Sequence, residues 1–184
     1  MVGLAGVTML VIAEGDAATC SVTHMLRTFG VCDVARATIA PELSALTAEQ
    51  SFGAIILDMA AASLEIGAAL QTMRRDGRNP CQRTPIVALA GEHDQPLLQA
   101  LNRAGITDVI RKPIIDVDLY GRLQIMLSET RPFILSRDYA GPDRRRTEQG
   151  LVDILRASGL APLHMRQAAQ RRDQWAAHDK AKAS

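Results

Sequence analysis

The sequence is short of aromatic residues. One Trp, two Tyr and three Phe make up 3% of its 184 residues, so Ala, Leu, Ile and Val must supply the core. Cysteine is scarce too. Cys20, Cys32 and Cys81 are odd in number and widely spaced, with no CxxC pair. That pattern excludes a disulfide framework and a cysteine metal site, and it reads as reduced thiols. Strong charge of one sign is also missing. The formal net charge is +1, which argues against a chain built to bind polyanions along its whole length. No apolar run is long enough to span a bilayer. Met1 to Ala13 contains no basic residue and lacks the charged start of a signal peptide. It reads as a buried first strand of a cytoplasmic protein without membrane insertion. No nucleophile–base pair, nucleotide loop or metal-ligand cluster points to independent catalysis, so no catalytic residues are assigned.

What is present is a regular succession of strands and helices. Val7 to Ile12 is an apolar run that suits a strand covered on both faces. Residues 17 to 29 follow as a helix with Val22, Met25, Leu26 and Phe29 on one face, stopped by Gly30. Cys32 to Ala37 predicts a second strand and Pro41 to Gln50 a second helix. Phe52 to Leu57 predicts a third strand that ends at Asp58. Ala61 to Asp76 predicts a helix whose exposed end carries Arg74 and Arg75. Thr84 to Leu89 and Thr107 to Ile110 predict two more strands. Gln95 to Ala104, closed by Gly105, and Asp116 to Glu129 predict two more helices. Five strand-then-helix steps with short links define an α/β fold, a doubly wound five-stranded parallel sheet.

In such sheets the working residues gather beyond the carboxyl ends of the strands. Glu14, Asp16, Asp58, Ala90 and Lys112 each follow a predicted strand end. Acids meeting there would suit a hard cation such as Mg²⁺. The same residues also read as ordinary polar loop positions, because strand ends usually expose charge.

Taken in order, the residues resemble the response-regulator receiver family of two-component signalling. The resemblance rests on Leu10-Val-Ile12 before the acidic loop, Ile55-Ile-Leu-Asp58-Met59, Thr84-Pro-Ile-Val-Ala-Leu89, Ala104-Gly105 and Lys112-Pro113. It implies a flavodoxin-like receiver domain over residues 5–128. It implies that Asp58 is the phosphoacceptor and that Lys112 pairs with the phosphoryl group. It implies a peptide bond before Pro113 that is often cis. The family's acidic pair falls on Ala13 and Glu14, so one carboxylate is missing. Weak Mg²⁺ binding by Glu14 and Asp58, with Asp16 as an auxiliary acid, is the expectation. The switch hydroxyl after the fourth strand falls on Ala90, which leaves the Gly91 N–H as a donor. The aromatic of the fifth strand falls on Val109. The loop after the phosphoacceptor, usually Met-Pro and then Asp-Gly, reads Ala61, Ala62, Glu65 and Ile66. The resemblance therefore implies an atypical receiver. Either Asp58 is phosphorylated and the output uses different contacts, or the domain is a fixed docking surface.

The tail has another composition. Residues 131–184 hold 11 Lys/Arg against 6 Asp/Glu, whereas the first 130 hold 10 against 14. Residues 129–146 read as a basic linker with a Gly-Pro-Asp turn followed by Arg144, Arg145 and Arg146. Three arginine forks could serve as a docking or anion-binding element. Residues 147–178 read as a two-helix C-terminal extension, started by Thr147 and broken at Ser158-Gly159.

Together these features predict an atypical receiver in phosphorelay signal transduction, acting through protein–protein contacts. Its expected partners are a histidine kinase or phosphotransfer protein, a downstream protein, and a second copy in a homodimer. Two other classes stay open. One is an effector that binds an anionic nucleotide such as cyclic di-GMP through Arg144–Arg146. The other is a small DNA-binding regulator using the C-terminal helices, against which their small size counts.

Overall fold

A computed structural model describes residues 4–128 and 132–143, without the side chains of residues 16–19, 95, 100 and 102. The central sheet is built from β1 (Thr8–Ile12), β2 (Asp33–Ala37), β3 (Ala54–Asp58), β4 (Ile86–Ala90) and β5 (Asp108–Arg111). Its order is β2-β1-β3-β4-β5 and every pairing is parallel. The helices are α1 (Asp16–Thr28), α2 (Ala40–Glu49), α3 (Leu64–Arg75), α4 (Gln95–Leu101) and α5 (Asp116–Ser128). The predicted doubly wound architecture is borne out.

The strands are apolar at consecutive positions because both faces are covered. Side chains alternate across a strand, and the alternation divides the core in two. Leu10, Ile12, Ile55, Leu57, Ile86 and Ala88 face Leu43, Ile66, Leu70 and Leu101 from α2, α3 and α4. Met9, Val11, Ala54, Ile56, Val87 and Leu89 face Val22, Leu26, Leu119 and Leu123 from α1 and α5. Small aliphatic residues fill both layers. Phe29 and Tyr120 pair edge to face at the margin of the second layer, with ring centroids 5.2 Å apart.

Two helix boundaries differ from the sequence reading for local reasons. α3 starts at Leu64 rather than Ala61. Residues Met59–Ala61 form a 3-10 turn, and Ser63 then caps the helix by accepting the Ile66 N–H at 3.2 Å. α4 stops at Leu101, and Asn102–Ala104 tighten into a 3-10 turn before Gly105, which adopts φ 76°.

The larger departure lies beyond α5. The segment expected as a basic linker contains a β-hairpin, β6 (Phe133–Leu135) and β7 (Ala140–Pro142), paired antiparallel. It packs on α3 and on the turn before β5. Two glycines allow the approach. A Cβ built on Gly105 would lie 2.5 Å from the Ala140 carbonyl oxygen, and one on Gly141 would lie 2.9 Å from the Gly105 Cα. Ser136 closes the loop by donating its N–H to the Tyr139 carbonyl at 2.7 Å. Residues 144–184, with the Arg144–Arg146 run and the two expected helices, lie outside the described residues.

The hairpin also corrects the expectation that Arg74 sits at an exposed helix end. Arg74 is 0% exposed. Its guanidinium donates to the Gln82 carbonyl at 2.7 Å and to the Gly105 carbonyl at 3.0 Å. Those two carbonyls precede β4 and β5, so Arg74 ties α3 to the amino end of the sheet. Burial pulls its pKa down to about 10, opposed by Tyr139 and Cys81. Arg75 reaches outward instead, donating to the carbonyls of Ser136 and Arg137 in the hairpin loop at 3.3 and 2.7 Å. Arg83 covers the ring of Phe133 with its guanidinium 5.3 Å from the centroid.

Candidate phosphoacceptor site

Asp58 is the last residue of β3, and its parallel neighbours on both sides place it at the carboxyl end of the sheet. It is 3% exposed. A carboxylate so buried needs a counter-charge or strong donors. Asp58 Oδ1 has both: it accepts the Ala60 N–H at 3.0 Å and lies 2.5 Å from Lys112 Nζ. The first contact starts the 3-10 turn that leads into α3. The second joins residues 54 positions apart in sequence.

Lys112 follows β5 directly. Its N–H donates to the Ala90 carbonyl at 2.8 Å, which fixes the end of β5 against the end of β4. The peptide bond from Lys112 to Pro113 is cis. The Lys112 side chain is 34% exposed, so the ion pair is buried on the Asp58 side and open on the other.

The remaining predicted residues take different positions. Ala90 ends β4 and is buried, with a methyl group where the resemblance has a hydroxyl. The Gly91 N–H donates to Asp94 Oδ2 at 2.6 Å. Glu14 is exposed in the turn after β1, whereas Ala13 is fully buried and donates its N–H to the Ala37 carbonyl. Asp16 opens α1, and its side chain lies outside the described atoms. Val109 in β5 packs against the α3-side core. Arg144, Arg145 and Arg146 lie outside the described residues, so the nucleotide-binding and DNA-binding readings rest on sequence alone.

Among the described residues the donor set does not fit a tight divalent-cation site. No group of three or more His, Cys, Asp or Glu is arranged to hold a metal among the described residues. The buried position next to Glu14 carries the methyl group of Ala13, and Asp58 Oδ1 already holds an ammonium and an amide.

Sequence reading missed two features of this end. One is Asp94. Its signal was the spacing Gly91-x-x-Asp94, in which an acid three residues after a loop glycine can reach back to the glycine N–H. The other is a set of exposed apolar side chains near the carboxyl ends of the strands: Ile39 after β2, Leu64 at the start of α3, and Ile115 and Val117 at the start of α5.

A five-stranded parallel sheet in the order β2-β1-β3-β4-β5, with helices on both faces, is the flavodoxin-like receiver fold. Solved structures of receiver domains superpose on this chain. The receiver domain of a sensor histidine kinase from Pseudomonas aeruginosa, crystallised with magnesium in its active-site cleft, is 24% identical, with a TM-score of 0.59 over 68% of this chain and 100% of that one. The signal receiver domain of a histidine kinase from Syntrophus aciditrophicus is 17% identical, with a TM-score of 0.58 over 71% and 99%. A chemotaxis response regulator of Vibrio cholerae is 21% identical, with a TM-score of 0.54 over 65% and 98%. No family model and no curated protein matches the sequence. No helix among the described residues is long and apolar enough to cross a membrane.

Proposed function

We propose that this chain is an atypical receiver of a two-component phosphorelay, that Asp58 is its phosphoacceptor, and that its output is a protein contact without catalysis of its own. The observation that carries this reading is the Asp58–Lys112 pair at the carboxyl end of the sheet. A buried carboxylate held by one partly exposed ammonium is placed to accept a group from the open side. A carboxylate oxygen of Asp58 attacks phosphorus. The bond from phosphorus to the donor breaks, and its electron pair leaves with the donor, a kinase histidine nitrogen in the expected case. The product is an acyl phosphate, in which the single negative charge of the carboxylate gives way to about −1.5 to −2 charges on the phosphoryl group. Lys112 stands beside that charge with part of its side chain already in solvent. Magnesium binding through Asp58 and Glu14 is weak in this reading, because few carboxylates converge.

The apolar side chains around the same end support a protein partner. Leu64 is 72% exposed and Ile115 59%. Large aliphatics set around a charged centre suit an interface with an apolar core. A histidine kinase or phosphotransfer protein would be the donor, and the setting would be cytoplasmic.

The test uses the full chain, acetyl phosphate and Mg²⁺, with intact mass as the readout. The proposal expects a gain of one phosphoryl group that disappears in Asp58→Asn. If wild type and Asp58→Asn behave alike, the domain is a fixed docking surface and not a phosphoacceptor.

A further inference from the structure

The contact between Gly91 and Asp94 has the form of a capping box, in which a carboxylate reaches back to the backbone N–H three residues earlier. Asp94 Oδ2 accepts the Gly91 N–H at 2.6 Å, and the Asp94 N–H points back to the Gly91 carbonyl at 3.4 Å. Its place in the fold gives it a second meaning. β4 lies between the strand that ends in Asp58 and the strand that precedes Lys112. Asp58 pairs with Leu89 and Arg111 with Ala90, so Gly91 leaves the sheet between the two charged partners. Ala90 brings no hydroxyl. The Gly91 N–H is therefore the donor with which the loop after β4 could meet a group attached to Asp58, and a carboxylate already holds it.

We propose that Asp94 is an internal competitor of the phosphoryl group: its carboxylate occupies the Gly91 N–H, and a lasting acyl phosphate on Asp58 requires it to leave. The proposal rests on the reading of Asp58 as phosphoacceptor. The physical case has two parts. A short hydrogen bond to an ionised acceptor is among the stronger kinds, and one N–H cannot serve two anions well. Beyond that, a phosphoryl group placed near a half-buried carboxylate is repelled by it. Asp94 thus has different interaction energies in the two states, which any switch requires. The loop Glu92–Asp94 and α4 would move for a reason that replaces the missing hydroxyl at Ala90.

The experiment compares wild type, Asp94→Asn and Asp94→Ala as full chains with acetyl phosphate. In the reaction a carboxylate oxygen of Asp58 bonds to phosphorus, the phosphorus–oxygen bond to acetate breaks, and acetate leaves with the electron pair. Intact mass gives the modified fraction and its lifetime once the donor is removed. Both variants should raise the modified fraction or lifetime by about fivefold or more, the lower end of ordinary coupling between sites. In wild type, the Gly91 amide resonance should also shift when Asp58 is modified; this reading needs no variant to fold. Equal modification in all three proteins, lost with Asp58→Asn, would overturn the competitor and leave the phosphoacceptor standing. An unmoved Gly91 resonance in modified wild type would overturn it as well. No modification in any of the three would overturn the phosphoacceptor reading and the competitor together.

Discussion

The two ends of the sheet handle buried charge in opposite ways. At the amino end Arg74 is sealed between backbone carbonyls under a hairpin, with its Nε left without a hydrogen-bond partner. At the carboxyl end Asp58 meets a lysine that is still partly in solvent. A sealed charge whose partners are fixed main-chain groups has nowhere to go and serves to join elements. A buried charge with one movable, half-open partner can accept new chemistry. On the proposed function, the amino end is the structural end and the carboxyl end the chemical one. The contrast comes from the partners of each charge and not from the residue types.

Substitutions can break that contrast. The largest stability loss should follow Arg74→Met, which strands the carbonyls of Gln82 and Gly105. Removing one partner from a buried, charge-assisted set costs about 3 kcal/mol, measured as a drop in urea-unfolding free energy. That loss should be constant between pH 6 and 9. Arg74 is held at about 10, below the ordinary arginine value, so it is protonated in both folded and unfolded states across that range. Only above about pH 10 does the unfolded state bind the extra proton, and there rising pH relieves the burial penalty. Next should come Gly105→Val. It places a β-branched side chain at a positive φ and against the Ala140 carbonyl, for a loss of about 2 kcal/mol. At the chemical end Lys112→Ala should cost less, about 1.5 kcal/mol: Asp58 loses its counter-charge, but the gap left by a partly exposed side chain admits water to the carboxylate. Its main effect should be a lower modified fraction with acetyl phosphate. The smallest loss, about 0.5 kcal/mol, should follow Arg75→Ala, whose hydrogen bonds to the hairpin loop are exposed. If Arg75→Ala destabilises as much as Arg74→Met, burial is not what sets the worth of the two arginines.

The chemical end was the more legible of the two. Strand ends can be read from apolar runs, and parallel α/β sheets gather function beyond those ends, so Asp58 and Lys112 could be placed together before any coordinates. Ala90, expected just after the fourth strand, is the last residue of β4, and Val109 lies in β5. The occupancy of the Gly91 N–H was less legible, because the Gly91-x-x-Asp94 spacing allows the contact without singling it out among the donors that a loop acid can reach. The structural end was nearly silent. Arg74 and Arg75 are adjacent and identical in type, and on a helix neighbours point about 100° apart, so one is buried and the other exposed. Knowing which required the hairpin. The hairpin in turn has strands of three residues each, too short for alternation to show.

The central claim is that the carboxyl end is a working phosphoacceptor, and its most direct test is chemical trapping. After incubation with acetyl phosphate and Mg²⁺, borohydride reduces an aspartyl phosphate to homoserine, which peptide mass spectrometry can locate. Homoserine is expected at position 58 in wild type, in greater yield in Asp94→Asn. Homoserine at another aspartate, or at none while a parallel control receiver is trapped, would contradict it.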